Sequence, residues 1–346
     1  MMRIGVWNTA FLGDAALTLP LLQSLRMRFP DAILDYYVRS GLEDLFISHP
    51  AINSVYGYAK NSGGIASILK TGKEIRNRGY DLWICAHRSI RSALIARLGA
   101  GRERIGYDRP FVNKFFYTNV VKRRFNELEE IDRLLALLHP LGERPVSIWP
   151  EIWLNAKARE KADKYFADIK GPVLGLHPGA VWASKRWPAE FYAEIGKRAL
   201  AHGAYVLLFA GKGEEELTER VLKTILNDSN HPDYEEEKRL RNLAGTLSLP
   251  ELAAFLARLA CYVTNDSGPM HLAWAQKVPL TAIFGPTARS LGFYPRGKDS
   301  KVIETRLACR PCGLHGHRIC PLGHHHCMML IHPDMVWDDV KVKLLH

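Results

Sequence analysis

The sequence has 346 residues, of which 47% are hydrophobic, and its formal net charge at pH 7 is +11. A chain of this length and apolar content can bury a large core, and the length favours two domains. No run approaches the roughly 18 apolar residues of a membrane-spanning helix. The first residues also lack the apolar stretch and the cleavage site of a signal peptide. We therefore expect a cytoplasmic protein.

The first half of the sequence alternates strand and helix patterns. Residues 3–7 have the pattern of a buried strand, and residues 8–14 follow as a loop. Residues 15–29 predict a helix that is kinked or restarted at Pro20, because proline lacks the backbone N–H. Further strands are predicted at residues 32–38, 52–56 and 80–87, and further helices at residues 42–48, 65–77 and 90–98. This alternation predicts a parallel sheet with ligands beyond the carboxyl ends of its strands.

The alternation begins again after a passage at residues 141–171, which fits a strand-and-helix crossover. Strands are then predicted at residues 173–176, 204–210, 260–263 and 280–285. Helices are predicted at residues 188–201 and 334–345, and further helices begin at residue 214, at residue 249 after a capping box, and at residue 268. A polar insertion is predicted at residues 227–239. The predicted fold class is therefore α/β. Two Rossmann-like βαβ domains, residues 1–165 and 172–346, are expected to face each other across a cleft.

Residues 260–272 are the most informative stretch. An apolar strand runs into turn residues, Ser267 can cap the next helix, and Pro269 suits its first turn because the missing N–H would have no partner there. Such a helix directs free backbone N–H groups and the positive end of its dipole beyond the strand, where a phosphate can bind. The alternative is an ordinary βαβ turn in which Asp266 and Ser267 only cap the helix.

The same stretch resembles a family signature. Residues 266–272 (Asp-Ser-Gly-Pro-Met-His-Leu) and residues 284–287 (Phe-Gly-Pro-Thr) are similar to the signature of the bacterial lipopolysaccharide heptosyltransferases, glycosyltransferase family 9. Further stretches match in the order of the family, namely residues 12–14 with 19–22, residues 177–180 with 185–188, and residues 242–245. The resemblance therefore extends over nearly the whole chain.

The resemblance implies the two-domain GT-B fold and an inverting transfer of L-glycero-D-manno-heptose from ADP-heptose to the inner core of lipopolysaccharide. It implies an N-terminal domain that binds the acceptor, lipid A carrying Kdo, and a C-terminal domain that binds the nucleotide sugar. By the same analogy, the helix at residues 334–345 packs back across the domain junction. We expect no cofactor, no nucleic-acid partner, and a peripheral location on the inner face of the cytoplasmic membrane.

Sugar transfer from a nucleotide donor must stabilise the departing diphosphate. Many such enzymes hold a metal ion with an Asp-x-Asp pair, but no two aspartates of this sequence are two positions apart, so transfer without a metal is expected. Lys185, with Arg186 beside it, is the candidate partner of the diphosphate, together with the helix start at Ser267 and Gly268. The alternative for the two basic residues is an exposed turn before a helix.

Three further residues are candidates on the donor side. Asp266 is a candidate for holding sugar hydroxyls, or else a helix cap. His271, one turn into the helix, either faces the donor or packs against the sheet. The family has an acidic residue that holds the ribose after the second strand of this domain. Residues 214–216 are all glutamate here, so its identity stays open, with Glu214 as the candidate.

On the acceptor side, Asp14 is the candidate general base. It follows Gly13 after the first predicted strand, and an inverting displacement needs a carboxylate to take the proton of the acceptor hydroxyl. The alternative is that Asp14 caps a helix starting at Ala15. Gly13, Arg88 and Arg91 are the candidate acceptor-binding residues.

Positive charge is concentrated between Arg88 and Arg124. This region contains ten lysine and arginine residues but only two acidic residues, Glu103 and Asp108. Such a region attracts polyanions, whether nucleic acid, anionic lipid headgroups or a phosphorylated glycolipid. The alternative is a solvated basic face that aids solubility.

Four of the six cysteines, Cys309, Cys312, Cys320 and Cys327, lie within 19 residues, with five histidines among them. The first pair is spaced like zinc ligands, but the later gaps match no standard zinc knuckle. Stable disulfides are not favoured in a cytoplasmic protein. The sequence therefore favours a packed loop over a bound structural metal, and we assign no metal site.

Two alternative functions stay open at this point. A sugar-nucleotide epimerase can share the two-domain fold but needs no acceptor. A basic nucleic-acid-binding protein with a zinc module would account for the pI of about 9.3 and for the cysteines. Against it, the basic region has no recognisable nucleic-acid motif and lies far from the cysteines in sequence.

Overall fold

The computed structural model describes residues 1–60, 64–108, 113–227 and 238–345. The chain divides into two compact units, Met1–Leu154 and Asn155–His346. Residues 228–237 of the predicted polar insertion lie outside the described residues. Each unit contains one six-stranded sheet.

The first unit is built on a parallel sheet. Its strands are β1 (Arg3–Asn8), β2 (Ile33–Arg39), β3 (Ser54–Tyr58), β4 (Leu82–Cys85), β5 (Glu103–Tyr107) and β6 (Asn119–Val121). They are arranged in the order β3-β2-β1-β4-β5-β6. Aromatic rings fill part of the core beside β1, since Trp7 lies 5.5 Å from Tyr37 and 6.0 Å from Trp83 between ring centroids.

Helices connect the strands of the first unit. They are α1 (Leu12–Leu17), α2 (Leu19–Arg28), α3 (Gly64–Arg78), α4 (Ile90–Gly99), α5 (Asn113–Phe116) and α6 (Glu130–Leu135), with short 3-10 helices at Glu43–Leu45 and Ala136–Leu141. Helices α3 and α4 approach closely at Gly72 and Gly99, because a Cβ atom on Gly99 would lie 2.4 Å from the carbonyl oxygen of Gly72. Glycine at this contact therefore sets the spacing of the two helices.

The second unit is built on a second parallel sheet. Its strands are β7 (Val173–His177), β8 (Tyr205–Leu208), β9 (Leu240–Asn242), β10 (Cys261–Asn265), β11 (Leu280–Phe284) and β12 (Ser300–Glu304). They are arranged in the order β12-β11-β10-β7-β8-β9. Every residue of the central strands β7, β10 and β11 is buried, which matches their continuous apolar patterns.

The helices of the second unit cover this sheet. They are α7 (Ala156–Phe166), α8 (Ala189–Ala201), α9 (Glu215–Asn227), α10 (Leu249–Leu256), α11 (Gly268–Ala275), α12 (His326–Met329) and α13 (Pro333–Leu345), with short 3-10 helices at Ala183–Lys185 and Arg289–Leu291. Helix α13 packs against α8 and the strands β10 to β12. None of the helices in the described parts of the chain combines the length and apolar character needed to cross a bilayer.

Both sheets have the same topology. Counted within its own unit, each sheet has the strand order 3-2-1-4-5-6 of the Rossmann fold. The order reverses between the first and fourth strands, which are β1 and β4 in one unit and β7 and β10 in the other. Ligands of open α/β sheets bind beyond the carboxyl ends of these strands. The predicted α/β class with two Rossmann-like units is confirmed.

Some elements differ from their predicted form. Helix α1 begins at Leu12, so Gly13 and Asp14 lie within a helix and not in the predicted loop. The restart at Pro20 is confirmed, because Pro20 is the second residue of α2. The charged run of the predicted crossover forms α7, which belongs to the second unit, although it falls mainly within the expected first domain.

The sequence patterns do not predict β5, β6, β9 and β12. Three of these strands, β6, β9 and β12, lie at sheet edges, and β5 lies next to an edge. Their segments are short or carry charged residues, so they lack the continuous apolar run of a central strand. These strands form because they pair with a neighbouring strand of the sheet, which is a tertiary effect.

Candidate functional site

The loop after β7 and the signature after β10 meet at the switch point of the second sheet. Asn265, the last residue of β10, is fully buried. Its amide nitrogen donates to the carbonyl oxygen of Pro178 at 2.9 Å, and its amide oxygen accepts from the backbone N–H of Trp187 at 3.0 Å. One buried side chain therefore fixes both ends of the loop that carries Lys185.

Lys185 and Asp266 form a buried ion pair at this edge. The ammonium nitrogen of Lys185 lies 2.5 Å from Oδ2 of Asp266, and the hydroxyl of Thr287 donates to the same oxygen at 2.7 Å. Burial acts to raise the pKa of Asp266, but the Lys185 ammonium and the Thr287 hydroxyl outweigh it, and the pKa lies below its ordinary value. The carboxylate joins three loops, so helix capping is not its main role, and Lys185 is not on an exposed turn.

His271 lies within the same group of residues and is 5% exposed. Its ring is flanked by Trp274 and Phe293, with centroids 6.1 Å and 6.5 Å away. Burial lowers its pKa to about 4, so the imidazole is neutral at pH 7. Among the described residues, its Nδ1 atom has no hydrogen-bond partner. A buried polar atom of this kind is available to a ligand.

Arg186 and Glu214 form a second pair beside the Lys185 loop. The guanidinium of Arg186 lies 3.2 Å from Glu214 and also donates to the carbonyl oxygen of Ala180 at 2.9 Å. Glu214 lies against Gly179, because a Cβ atom there would be 2.5 Å from its carboxylate. The carboxylate of Glu214 and the guanidinium of Arg186 are therefore adjacent at the same sheet edge.

The start of α11 differs from its predicted form in one detail. Ser267 occupies the N-cap position and Gly268 begins the helix, as predicted, but the Ser267 side chain makes no capping hydrogen bond. Its hydroxyl lies instead 3.4 Å from the hydroxyl of Thr264. The expectation that Ser267 caps the helix through its side chain is therefore wrong.

At the switch point of the first sheet, Asp14 lies in the first turn of α1. Its carboxylate accepts from the backbone N–H of Phe11 at 3.2 Å. This contact is the carboxylate half of a capping box, so Asp14 does stabilise the helix start, but from its third position and not as the cap of a helix beginning at Ala15. Gly13 is buried beside it.

Burial and nearby charges shift the pKa of Asp14. Burial and the nearby carboxylate of Glu130 raise the pKa of Asp14 to about 6, while the Phe11 N–H and the guanidinium of Arg123 act in the opposite direction. Glu130 is itself buried and lies 2.7 Å from the guanidinium groups of both Arg123 and Arg133. Asp14 thus has a pKa close to the range that general bases use.

Further cations lie near Asp14. Burial, followed by the charges of Arg39 and Arg91, lowers the pKa of Lys60, while Asp14 raises it. The guanidinium of Arg91 also donates to the carbonyl oxygen of Lys60. Arg88 points elsewhere, because its Nε donates to the carbonyl oxygen of Asp108 at 2.9 Å. Of the two arginines predicted for the acceptor, Arg91 therefore contacts Lys60, whereas Arg88 bonds to Asp108.

His87, after β4, is a neighbour of this site that sequence reasoning missed. Its Nδ1 lies 3.1 Å from the hydroxyl of Ser92 and 3.3 Å from that of Thr9. Burial, followed by the charges of Lys60 and Arg123, lowers its pKa to about 3. The ring is neutral at pH 7, and its position after a buried strand is the only sequence signal that marks it.

The cysteine-rich stretch forms a segment that packs against the loops that carry Ser184 and Thr287 in the second unit. We define the Cys/His segment as residues 307–329. All of its cysteines are free thiols, and Cys312 donates through Sγ to the carbonyl oxygen of Cys309 at 3.0 Å. Within the described ranges, no group of three or more His, Cys, Asp or Glu side chains is arranged to hold a metal ion.

Several residues that build these sites were not predicted as site residues from the sequence. Thr287 and Asn265 lie within the motifs described in the sequence analysis. However, Thr287 contacts Asp266 and Asn265 contacts the Lys185 loop, and these contacts join residues far apart in the chain. Glu130 and Arg123 likewise act on Asp14 from distant elements. Only Asn265, at the end of β10, and Thr287, shortly after β11, have a sequence signal, which is their place at the carboxyl end of a central strand.

Comparison with known proteins gives a family match over most of the chain. The model of glycosyltransferase family 9 (heptosyltransferase) matches residues 68–321. The chain is 27% identical to lipopolysaccharide heptosyltransferase 2 of Escherichia coli over 360 residues, covering 99% of both proteins. It is 26% identical to lipooligosaccharide heptosyltransferase 2 of Campylobacter jejuni over 344 residues, covering 98% of both.

Solved structures share the fold. The structure of E. coli ADP-heptose LPS heptosyltransferase II has a TM-score of 0.78 at 23% identity, covering 100% of this chain and 99% of that chain. A glycosyl transferase family 9 protein from Veillonella parvula has a TM-score of 0.85 at 22% identity, covering 99% of this chain and 97% of that one. At these identities the likeness is one of fold.

Proposed function

Because the chain belongs to glycosyltransferase family 9 (heptosyltransferase), we propose that it transfers L-glycero-D-manno-heptose from ADP-heptose to the inner core of lipopolysaccharide, with inversion at the anomeric carbon. The names of its relatives support this sugar and this class of acceptor. The observation that carries the proposal is the group of Lys185, Asp266, Thr287 and His271 at the switch point of the second sheet.

The second unit is proposed to bind ADP-heptose. The Lys185 ammonium, with Arg186 beside it, stabilises the diphosphate that develops charge as the sugar leaves. Free backbone N–H groups at the start of α11, from Gly268, add to this stabilisation. Asp266 holds the ammonium in position and accepts hydrogen bonds from sugar hydroxyls, and the neutral ring of His271 offers its unpartnered Nδ1 to the donor.

Glu214 is proposed to accept hydrogen bonds from the ribose hydroxyls. It follows the second strand of this unit, and its carboxylate is only partly used by Arg186 at 3.2 Å. The contact of Glu214 with Gly179 supports this role, because it keeps the carboxylate beside the loop after β7.

The first unit is proposed to bind the acceptor, with Asp14 as general base. The acceptor hydroxyl oxygen forms the new bond to the anomeric carbon while the bond from that carbon to ADP breaks. The hydroxyl proton passes to the Asp14 carboxylate, and ADP departs with the electron pair. A pKa of about 6 leaves Asp14 ionised at neutral pH but basic enough to accept this proton.

The cations near Asp14 support the proposal that the acceptor carries anionic groups. The charges of Arg39 and Arg91 lower the pKa of Lys60 at this site, and such a cluster of cations favours phosphate or carboxylate groups. Gly13, the buried neighbour of Asp14 in α1, is proposed to lie beside the acceptor because it has no side chain. Arg88 is proposed to contribute to the surrounding basic field and not to direct contact.

We further propose that the first unit docks on the inner face of the cytoplasmic membrane, where the acceptor lies. Ile65 and Leu69 on α3 and Phe115 on α5 are 76%, 55% and 68% exposed, and both helices pack against α4. Exposed lysines on α3, Lys70 and Lys73, accompany them. Exposed apolar side chains with adjacent cations suit a surface of anionic lipids.

The test is direct assay of the purified protein. ADP-heptose is incubated with truncated core acceptors of defined structure, and the products are identified by mass spectrometry. The expected result is an acceptor that gains the mass of one heptose, with release of ADP. If free heptose or an altered nucleotide sugar forms from ADP-heptose equally well without any acceptor, the chemistry is that of a hydrolase or an epimerase. That result would contradict the proposal.

A further inference from the structure

We propose that the Cys/His segment positions Lys185 for the donor diphosphate, and that His325 is the residue through which it does so. The inference deepens the proposed function, because it rests on the assignment of Lys185 to the diphosphate. It gives a role to a segment that the reaction itself does not use.

The first observation concerns Ser184, the buried residue directly before Lys185. Its carbonyl oxygen accepts a hydrogen bond from Nε2 of His325 at 2.7 Å. Its hydroxyl oxygen accepts from the backbone N–H of His317 at 2.8 Å, and its own N–H donates to the carbonyl oxygen of His317 at 3.1 Å. The Cys/His segment therefore holds Ser184 at three polar atoms, one peptide bond away from Lys185.

The second observation concerns the loop after β11, which carries Thr287. The guanidinium of Arg310 donates to the carbonyl oxygens of Phe284, at 3.2 Å, and Thr287, at 2.7 Å. The backbone N–H of Cys312 donates to the carbonyl oxygen of Pro286 at 2.8 Å. The same segment that holds Ser184 thus also fixes the loop that supplies the Thr287 hydroxyl to Asp266.

Gly316 shows how tightly the segment fits between the two loops. A Cβ atom at this position would lie 2.9 Å from the hydroxyl oxygen of Ser184 and 3.1 Å from Cγ of Pro286. Its φ of +81° also favours glycine. A larger residue would push the Lys185 loop and the Thr287 loop apart.

These contacts close a ring around the ion pair. Thr287 donates to Asp266, Asp266 pairs with Lys185, and Lys185 follows Ser184, which the Cys/His segment holds. A charged group held in its binding geometry before the ligand arrives loses less entropy on binding. Loss of the His325 contact should therefore weaken diphosphate binding through Lys185 and through no other group.

The test is a double-mutant cycle with ADP as the probe, measured by calorimetry. His325→Asn removes the contact, because the amide is too short to reach Ser184, and asparagine tolerates the φ of +51° at this position. We expect His325→Asn to weaken ADP binding by roughly three- to tenfold, as for directly coupled residues. In a Lys185→Ala background the same substitution should have no further effect.

Two variants separate positioning from general damage to the fold. His325→Gln, whose amide nitrogen reaches about as far as Nε2, should recover most of the ADP affinity. His326→Ala changes the exposed neighbour, whose ring stacks on His324, and should leave ADP affinity unchanged. Melting temperatures of all variants are compared in parallel.

The outcomes distinguish this inference from the proposed function. If Lys185→Ala weakens ADP binding but His325→Asn has no effect, or an equal effect in both backgrounds, the positioning role is overturned while the donor assignment stands. If Lys185→Ala leaves ADP affinity unchanged, the donor assignment fails, and the positioning role fails with it.

Discussion

Single residues decide the chemistry of the proposed donor site. The side chains of Lys185 and Asp266 are 12% and 8% exposed, so both charges of the pair are largely removed from water. A buried pair is tolerated only when its remaining polar atoms are also bonded, and the Thr287 hydroxyl supplies one such bond. Substitution of either partner should therefore affect ligand binding and stability together.

For Lys185→Ala, we expect ADP binding to weaken by about 1.5–3 kcal/mol, the range for a hydrogen bond to a charged group. Calorimetric titration with ADP measures this change, and a thermal melt reports the cost of leaving Asp266 unpaired. Lys298→Ala removes an equal charge from an exposed position before β12 and should change neither quantity. Unchanged ADP affinity in Lys185→Ala would remove Lys185 from the site.

Asp14→Asn tests the general base. The amide can still accept from the Phe11 N–H, so the helix start survives, but kcat should fall by about 10²–10⁴-fold because the base is lost. Because Asp14 titrates at about 6, the rate of the unmodified protein should fall as the pH drops through about 6, and the variant should lack this limb. ADP affinity serves as the control, and a near-normal kcat would restrict Asp14 to capping.

The same pKa predicts a stability effect of known sign. The pKa of Asp14 is raised from 3.8 to about 6 in the folded protein, so the folded state binds the proton more tightly than the unfolded state. The contribution of this group to stability is therefore greatest below pH 4 and decreases as the pH rises to about 6. At pH 7.5, Asp14→Asn should melt at the same temperature as the unmodified protein or higher.

Transfer should not need a divalent metal, because the sequence has no Asp-x-Asp pair and cationic side chains take over charge stabilisation. Product formation with EDTA should therefore equal that with added magnesium, measured by the same mass-spectrometric assay. Circular dichroism in EDTA checks that the fold persists. Loss of turnover with the fold intact would mean that a metal takes part.

At the scale of elements, α13 is attached to the second sheet by one partly buried carboxylate. Asp339 accepts from the Thr281 hydroxyl on β11 at 2.6 Å and pairs with Lys343 at 2.5 Å. Lys343 in turn donates to the carbonyl oxygen of Leu280 at 2.8 Å. A helix at the end of the chain is thus fixed to a central strand by polar contacts as well as by its apolar face.

Adjacent aspartates on α13 allow a matched test of this attachment. Asp339→Ala should lower the free energy of unfolding by about 1.5–3 kcal/mol, since charged hydrogen bonds to Thr281 and Lys343 are lost. Asp338→Ala, at the exposed neighbouring position, should change it by less than about 0.5 kcal/mol. Urea denaturation followed by circular dichroism measures both, and equal effects would show that the polar attachment contributes nothing.

At the scale of the whole molecule, the net charge of +11 favours association with anionic surfaces. We expect the protein to sediment with vesicles rich in anionic lipid at low salt and to be released as salt is raised, because screening weakens the attraction. Lys70→Glu combined with Lys73→Glu should weaken this binding at least about tenfold, at about 1 kcal/mol per basic residue near the surface.

A control variant distinguishes the effect of where the charge lies from the effect of net charge on vesicle binding. Lys157→Glu combined with Lys164→Glu changes the net charge equally, but on α7 of the second unit, where both lysines are exposed. Vesicle binding should be weakened far less by this pair. Equal loss from both pairs would show that net charge alone, and not the surface of α3, governs the association.

The sequence alone determined the features that depend on neighbouring residues. Three such features are the apolar runs of the central strands, the turn residues at positions 265–268 and the helix restart at Pro20. They are local effects, so they can be predicted from the sequence without the fold. Family membership and the parallel α/β class, which followed from the order and spacing of such local motifs, are confirmed.

The tertiary structure decided what depends on residues far apart in the chain. Asp266 meets Lys185 across 81 positions and Thr287 across 21, and Ser184 meets His325 across 141. The edge strands form because a neighbouring strand offers hydrogen bonds, and the pKa of Asp14 is set by burial and by Glu130 on a distant helix. Local patterns carry no record of such contacts, because burial and charge coupling arise only when the chain packs.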